Sequence, residues 1–344
     1  MKTFNIKILS IGLLISSLLI TVNLIIDPAK LFNRNHYNQM INIINNNNTY
    51  LTNIMNFDER LLNKMFVDKL NKRYDILVMG SSRTKLIRDE YFSNSELFNT
   101  SVSGASIEDL IAIYQLYKTK NMLPDSIYIG IDPWIFNVNN NQERWKTLKK
   151  EYYSFLNEPS QSNTSQNRLL QLISPSYFQE SLMLLLKSGF KLSPTSTEKK
   201  YNKLNTILND GSLVYSKEYR EVSFEEINKK AITYVSRDIY SIEDFNQISL
   251  THMNLFKRLI YDMQEQNIKI KFLLVPYHPI VFNTISNNNK YKNVLLAEIF
   301  IREFAAENSI TTTGSLDPKR INFDNSFFYD GMHCNEKGIR KLLE

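Results

Sequence analysis

Three apolar runs of strand length, each flanked by helical patterns, are the feature that most restricts the fold of this chain. They are residues 74–80 (YDILVMG), 126–132 (SIYIGID) and 268–279 (IKIKFLLVPYHP). A run that is apolar at successive positions is typical of a strand whose two faces are both covered. Around the runs, apolar residues recur at spacings of three and four, which predicts amphipathic helices. The alternation predicts an α/β domain with three layers around a central parallel sheet.

The helical pattern is clearest in residues 57–70, 253–267 and 293–308. Ser106, followed three positions later by Asp109, resembles a capping box and predicts the start of another helix. Between about 138 and 245 the alternation is lost, and the chain is polar, rich in Ser, Asn and Tyr, and partly helical. This region is predicted to be an insertion that covers or flanks the core.

The N-terminal segment predicts a membrane anchor. Residues 8–26 are 19 consecutive uncharged positions dominated by Ile and Leu, and a helix of this length rises about 30 Å, the thickness of the hydrocarbon core. Lys2 and Lys7 favour a cytoplasmic tail at residues 1–7 and an extracytoplasmic remainder. A cleaved signal peptide is the alternative, although no small-x-small cleavage site follows the segment. The Asn-rich residues 27–56 are predicted to be a stalk, and residues 57–344 the domain itself.

Composition excludes several classes of function. The chain of 344 residues has a formal net charge of +6 and no dense run of Lys and Arg, which argues against nucleic acid as a partner. Its single cysteine, Cys334, excludes an intramolecular disulfide framework and a multi-cysteine metal site. No other grouping has the spacing of metal ligands, so the sequence predicts neither a metal nor a cofactor.

A nucleophile and a base are suggested at opposite ends of the chain. Ser81 and Ser82 follow the first apolar run, at the carboxyl end of a predicted strand, where ligands gather in open α/β sheets. A helix that begins there would direct free N–H groups at a developing negative charge. A serine hydroxyl needs a base within hydrogen-bond reach. Of the four histidines, His333 is three residues after Asp330, a spacing that lets a short turn bring the carboxylate to the imidazole.

These residues resemble the motifs of the SGNH (GDSL-like) hydrolase superfamily over roughly residues 70–137 and 268–344. Ser82 in Gly-Ser-Ser matches the family nucleophile, and Asp330-Gly-Met-His333 matches the catalytic acid and base. Gly104, in NTSVSGAS, matches the glycine whose N–H helps to hold the oxyanion. The family motif at residues 130–132 is not fully matched. Asp132 occupies the position at which the family has an asparagine whose side chain donates to the oxyanion. An ionised carboxylate cannot donate.

Several roles at this site stay open from the sequence. Asp132 could be protonated or have another role, and Asn137 could replace it as the donor. Arg83 could bind a substrate anion or pair with a carboxylate. His278 could line the cleft as a structural or substrate-contacting residue.

The resemblance is strongest to membrane-anchored, extracytoplasmic members such as the D-alanyl transfer protein of teichoic acid operons and the alginate O-acetyltransferases. It implies a serine acyltransferase or esterase that acts on O-acyl groups of a cell-surface polysaccharide or envelope polymer, anchored in the lipid bilayer. It also implies a multi-pass membrane O-acyltransferase as a partner. The alternative is a catalytically inactive SGNH-fold module that binds polysaccharide or scaffolds an export complex.

Overall fold

The computed structural model describes residues 2–28, 30, 32, 34–54, 57–159, 169–170, 172–188 and 193–344. Met1 of the predicted tail, and parts of the predicted stalk and insertion, lie outside the described residues.

The described residues form twelve α-helices and nine strands, joined by short 3₁₀ turns. The helices are α1 (Lys2–Ile26), α2 (Arg34–Ile44), α3 (Glu59–Asp68), α4 (Ile107–Thr119), α5 (Lys149–Leu156), α6 (Pro175–Ser188), α7 (Lys217–Arg220), α8 (Phe224–Val235), α9 (Leu250–Glu265), α10 (Pro279–Asn287), α11 (Lys292–Glu307) and α12 (Glu336–Leu343). The strands are β1 (Tyr50–Thr52), β2 (Ile76–Met79), β3 (Leu97–Asn99), β4 (Ser126–Gly130), β5 (Thr195–Thr197), β6 (Thr206–Ile207), β7 (Leu213–Val214), β8 (Lys269–Leu274) and β9 (Thr311–Gly314).

Five strands form a parallel sheet in the order β3-β2-β4-β8-β9. Counted within this sheet alone, the order is 2-1-3-4-5, the order of flavodoxin-like doubly wound sheets. The chain reverses direction across the sheet between β2 and β4, and crevices for ligands form at such a switch point, beyond the carboxyl ends of the strands. Ser82 and Asp132 both follow strands that border this point.

Both faces of the sheet are covered by apolar side chains. Along β2, Leu77 and Met79 point into the larger hydrophobic cluster, whereas Ile76 and Val78 point into a smaller one. The same alternation along β8 explains why the central strands read as continuous apolar runs. The predicted α/β class with a parallel sheet is therefore confirmed, and the three runs correspond to β2, β4 and β8.

The region predicted as a stalk is packed against the domain. In α2, Tyr37, Met40, Ile41 and Ile44 are buried, and their spacing of three and four residues places them on one helix face. Strand β1 pairs with β5 and β6 in a second, four-stranded antiparallel sheet of order β5-β1-β6-β7. The stalk prediction fails here because the Asn run supplies only the turn between α2 and β1, while the residues on either side bury apolar surface.

The predicted insertion supplies α5 to α8 and strands β5 to β7, so it completes the second sheet. Strand β7 is followed directly by α7, which carries Tyr219 towards the carboxyl edge of the large sheet, where it meets Asp330. The insertion therefore contributes to the candidate site as well as flanking it.

The described residues contain one helix that is long and apolar enough to cross a membrane, Leu9–Ile26 within α1. Most of its side chains are exposed. Near its end, the buried Asn23 donates a hydrogen bond to the Leu172 carbonyl (3.0 Å), and the Tyr177 hydroxyl donates to Asp27 (2.7 Å). Helix α6 and the short segment before it thus hold the end of α1 against the rest of the chain.

Candidate active site

Ser82 lies in a tight turn directly after β2. Gly80 has φ = +155°, and a Cβ at this position would stand 2.6 Å from Thr84 Oγ1 and 3.1 Å from the Gly130 carbonyl oxygen of the neighbouring strand. Only glycine therefore lets the chain leave β2 so close to β4. The buried Ser81 caps the turn by accepting the Arg83 N–H at 3.2 Å. The helix expected here is only a three-residue 3₁₀ turn, Ser82–Thr84, so a helix dipole does not contribute.

Ser82, His333 and Asp330 form a continuous hydrogen-bonded chain. Ser82 Oγ is 2.9 Å from His333 Nε2, and His333 Nδ1 is 2.9 Å from Asp330 Oδ2. Because the carboxylate can only accept, it assigns the ring proton to Nδ1 and leaves the Nε2 lone pair facing the serine hydroxyl. Two residues separated by 251 positions are thereby placed for proton transfer.

Asp330 is fixed by its own turn. Its Oδ1 accepts the N–H groups of Met332 and His333, both at 2.8 Å. Burial alone would raise the pKa of the Asp330 carboxyl. The opposing effect is larger: His333 contributes its charge and a hydrogen bond, and Tyr219 and the Met332 N–H donate to the carboxylate. Together they hold the pKa well below its ordinary value. Asp330 is therefore ionised at neutral pH, and its carboxylate could stabilise a positive charge on His333.

Tyr219 is a member of the site that the sequence did not indicate. Its hydroxyl donates to Asp330 Oδ2 and lies 3.3 Å from His333 Nδ1. Burial and the neighbouring carboxylate raise the pKa of this phenol, so it remains a donor. It is one of 19 tyrosines and comes from the insertion, and no local pattern distinguishes it from the others.

Arg83 and Asp132 form a buried ion pair behind the nucleophile. Arg83 Nη1 lies 2.8 Å from Asp132 Oδ1, and the side chains are 0% and 6% exposed. Arg83 also donates from Nε to the Met332 carbonyl (3.1 Å) and from Nη2 to the Val275 carbonyl (2.5 Å). Its guanidinium stacks over the Tyr277 ring.

This pairing decides among the roles left open for the two residues. The Arg83 guanidinium is enclosed by protein, so it presents no face to a substrate anion. Burial raises the pKa of Asp132, although the Arg83 charge opposes the shift. The pair holds the loops after β2, after β4 and around Met332 against one another. Asp132 is thus a structural anion and supplies no donor to an oxyanion.

The loop that carries Gly104 is tied to the nucleophile's turn. Lys85 Nζ donates to Ser103 Oγ at 2.9 Å and pairs with the carboxylate of Glu59, which accepts the Ser103 N–H. Gly104 has φ = +54°, and a Cβ there would collide with the side chains of Arg144 and Tyr240. Among the described residues, neither the Ser82 nor the Gly104 N–H donates a hydrogen bond to protein, so both remain available to a substrate oxygen.

Asn137 and His278, the other two sequence candidates, are both buried. The Asn137 amide donates to the Ser241 carbonyl at 3.1 Å and is buried within the attachment of the insertion. His278 is fully buried, caps α10 by accepting the Ile280 N–H at 3.2 Å, and packs edge-on against Phe328. Burial lowers its pKa to about 4. Neither residue presents a surface to a substrate.

Cys334, next to His333, is also buried. Burial raises the pKa of its thiol to about 12, so the thiolate needed for nucleophilic attack does not form at neutral pH.

Ser82 lines a cavity of about 230 Å³. Its remaining walls come from α2, α3, β3 and the second sheet, and they include Phe66, Phe98, Ile207 and Leu213. The rings of Phe66 and Phe98 are stacked with centroids 4.2 Å apart.

A second cavity, of about 550 Å³, borders the first. The two share Phe57, Glu59 and Ser103 as lining residues, and the second extends to Pro28 and Tyr177 at the end of α1. The two cavities therefore lie on either side of shared wall residues, and the second one reaches the residues next to the end of the apolar helix.

Comparison with protein-family models and with curated proteins gives no match for this chain. The interpretation of the site consequently depends on its geometry and on the motif resemblance.

Proposed function

We propose that this chain is a membrane-anchored serine enzyme of the SGNH type that transfers or hydrolyses O-acyl groups. The observation that carries the proposal is the Ser82–His333–Asp330 chain, with 2.9 Å at each link, at the switch point of a parallel sheet. A buried ion pair and a tyrosine donor hold this chain of side chains in place. Such rigid support is what acyl transfer requires.

In the proposed reaction, Ser82 Oγ attacks the acyl carbon of an ester while His333 Nε2 takes the hydroxyl proton. The former carbonyl oxygen becomes negative and accepts hydrogen bonds from the N–H groups of Ser82 and Gly104. These two groups replace the side-chain donor, because the Asp132 carboxylate cannot donate. The tetrahedral adduct collapses, the C–O bond to the alcohol breaks, and His333 returns the proton to the departing alkoxide. An acceptor hydroxyl, from a sugar or from water, then attacks the acyl-enzyme in the same manner.

The resemblance suggests the setting for this chemistry. The acceptor or substrate would be a cell-surface polysaccharide or envelope polymer, and α1 would hold the catalytic domain on the outer side of the bilayer. A multi-pass membrane O-acyltransferase would supply the acyl group. The position of the second cavity, between the end of α1 and the wall of the cavity at Ser82, supports delivery from the membrane side.

One observation favours a second candidate, an inactive module that binds polysaccharide or scaffolds an export complex. Asp132 is locked to Arg83, so a side-chain oxyanion donor is missing from the motif at residues 130–132. The intact Ser82–His333–Asp330 geometry weighs against it, because a binding module has no need of a serine hydrogen-bonded to a histidine.

Ester turnover by the full chain in lipid nanodiscs tests the proposal. The release of p-nitrophenolate from acyl esters should fall by a factor on the order of 10⁴ in Ser82→Ala, since removing a nucleophile removes the whole catalytic unit. Ser93→Ala, which removes an exposed hydroxyl, is the matched control and should be unchanged. Equal turnover in Ser82→Ala and the unsubstituted chain would leave the binding module as the better account.

A further inference from the structure

The cavity beside Ser82 is lined by β3 of the five-stranded sheet and by several parts of the chain outside that sheet. Ile44 ends α2, while Ile207 and Leu213 belong to the small antiparallel sheet. Phe66 and Phe98 close another side. The predicted stalk and the insertion therefore contribute walls, partly apolar and partly polar, to one cavity that the nucleophile also lines.

Several of the polar groups on the cavity wall are already paired within the protein. Lys85 and Glu59 neutralise each other, and both contact Ser103. The Asn63 amide donates to backbone carbonyls, as does the Asn99 amide. The polar wall thus needs no charge or donor from a ligand. A ligand gains free energy mainly by covering the apolar walls.

The size of the cavity sets the size of that ligand. An apolar cavity of about 150 Å³ holds benzene, a ligand of six carbons, so a cavity of about 230 Å³ holds a group of about six to nine carbons. An acetyl group would cover only a small part of the apolar wall, whereas a longer chain would cover more of it. A chain of about six to eight carbons would fill the cavity.

We propose that this cavity is an acyl-chain pocket and that the site prefers aliphatic acyl groups of about six to eight carbons over acetyl. The inference rests on the proposed function and adds its substrate class. The acyl carbonyl lies at Ser82 and the alkyl tail extends between Phe98 and the side chains of Ile207 and Leu213. The acyl-enzyme forms as described above, and the tail remains in the pocket until an acceptor takes the acyl group.

A series of p-nitrophenyl esters from acetate to decanoate, given to the full chain in nanodiscs, tests the pocket. The first turnover reports acylation of Ser82 and does not depend on the acceptor. Each methylene buried should raise kcat/KM about fourfold, the equivalent of about 0.8 kcal/mol. From acetate to hexanoate the gain should be roughly two orders of magnitude, and kcat/KM should fall again at decanoate, which exceeds the cavity.

Two variants should shift this profile in opposite directions. Ile207→Phe fills part of the cavity and should move the optimum to shorter esters, lowering the hexanoate-to-acetate ratio of kcat/KM by at least tenfold. Leu213→Ala enlarges the cavity and should move the optimum to longer esters. Leu204→Phe, at an exposed position of the same segment, is the matched control and should leave the profile unchanged.

The outcomes distinguish a failure of the acyl-chain pocket from a failure of the proposed acyl-transfer function. A profile that is flat or highest at acetate, with turnover still dependent on Ser82, overturns the acyl-chain pocket and keeps the acyl-transfer enzyme. A profile that Ile207→Phe and Leu213→Ala leave unchanged overturns it as well. If no ester acylates Ser82, the proposed function has failed and the pocket assignment fails with it.

Discussion

Asp132→Asn restores the residue of the family motif, and the structure predicts that it harms the protein. The substitution leaves the Arg83 guanidinium, whose side chain is 0% exposed, without its counter-charge. Removing one partner of a buried ion pair costs about 3–5 kcal/mol. The bonds from Arg83 to the Met332 and Val275 carbonyls remain, so the expected loss is about 3 kcal/mol, at the lower end of that range. For a domain of this size, this corresponds to a fall in Tm of about 5 °C.

The assay is thermal unfolding of the full chain in nanodiscs, with ester turnover measured alongside at a temperature where both proteins are folded. Asp238→Asn is the matched control, because the Asp238–Lys290 pair has a similar length, 2.9 Å, but its side chains are 70% and 44% exposed. Loss of an exposed pair costs less than about 1 kcal/mol.

A double substitution isolates the charge. Arg83→Met with Asp132→Leu removes both ions and should recover much of the stability lost in Asp132→Asn. If Asp132→Asn were as stable as the unsubstituted chain and raised ester turnover, Asp132 would be a defective oxyanion residue, and the structural role assigned to it would be wrong.

Three further substitutions probe the surroundings of the site. Tyr219→Phe removes the hydroxyl donor to Asp330. Because a hydrogen bond to a charged group contributes about 1.5–3 kcal/mol, kcat/KM for a p-nitrophenyl ester should fall between ten- and a hundredfold. An unchanged kcat/KM would exclude Tyr219 from the site. The pKa of His278 is lowered to about 4, so the unfolded chain binds its proton first as pH falls below about 6.5. The free energy of unfolding is therefore unaffected by His278 above that pH, and uptake of the proton by the unfolded chain lowers it by about 2 kcal/mol at pH 5. His278→Asn, which can still cap α10, should flatten the pH dependence of urea unfolding by this amount, and an unaltered slope would contradict the neutral buried state. Cys334→Ala should keep full ester turnover, and the native thiol should resist iodoacetamide, whereas rapid alkylation would show that Cys334 is accessible.

The central strands could be predicted from the sequence because covering both faces of a strand leaves an apolar run. The edge strand β9 and the strands of the small antiparallel sheet could not be predicted in this way. β9 is Thr-Thr-Thr-Gly and is partly exposed, so it shows neither an apolar run nor alternation. β1 pairs with Thr195–Thr197, almost 150 positions away, and a pairing of that separation has no local signature.

The candidate triad could be assembled from the sequence only because two short motifs, Gly-Ser-Ser and Asp-Gly-Met-His, combine chemistry with spacing. The Arg83–Asp132 pair could not be predicted, since each residue has several charged candidates and burial decides which ones meet. In α2, by contrast, the spacing of Tyr37, Met40 and Ile41 is typical of a helix with one buried face. The neighbouring Asn run led to the prediction of a stalk instead.

Reaction of the native full chain with a fluorophosphonate, followed by mass mapping of the adduct, tests the central claim most directly. A serine activated by a histidine displaces fluoride and retains the phosphonyl group, whereas an ordinary hydroxyl reacts far more slowly. We expect a single adduct on Ser82, absent in Ser82→Ala and strongly slowed in His333→Gln. A folded chain that takes up no label, or that carries it on another serine, would contradict the account of this site as an acyl-transfer centre.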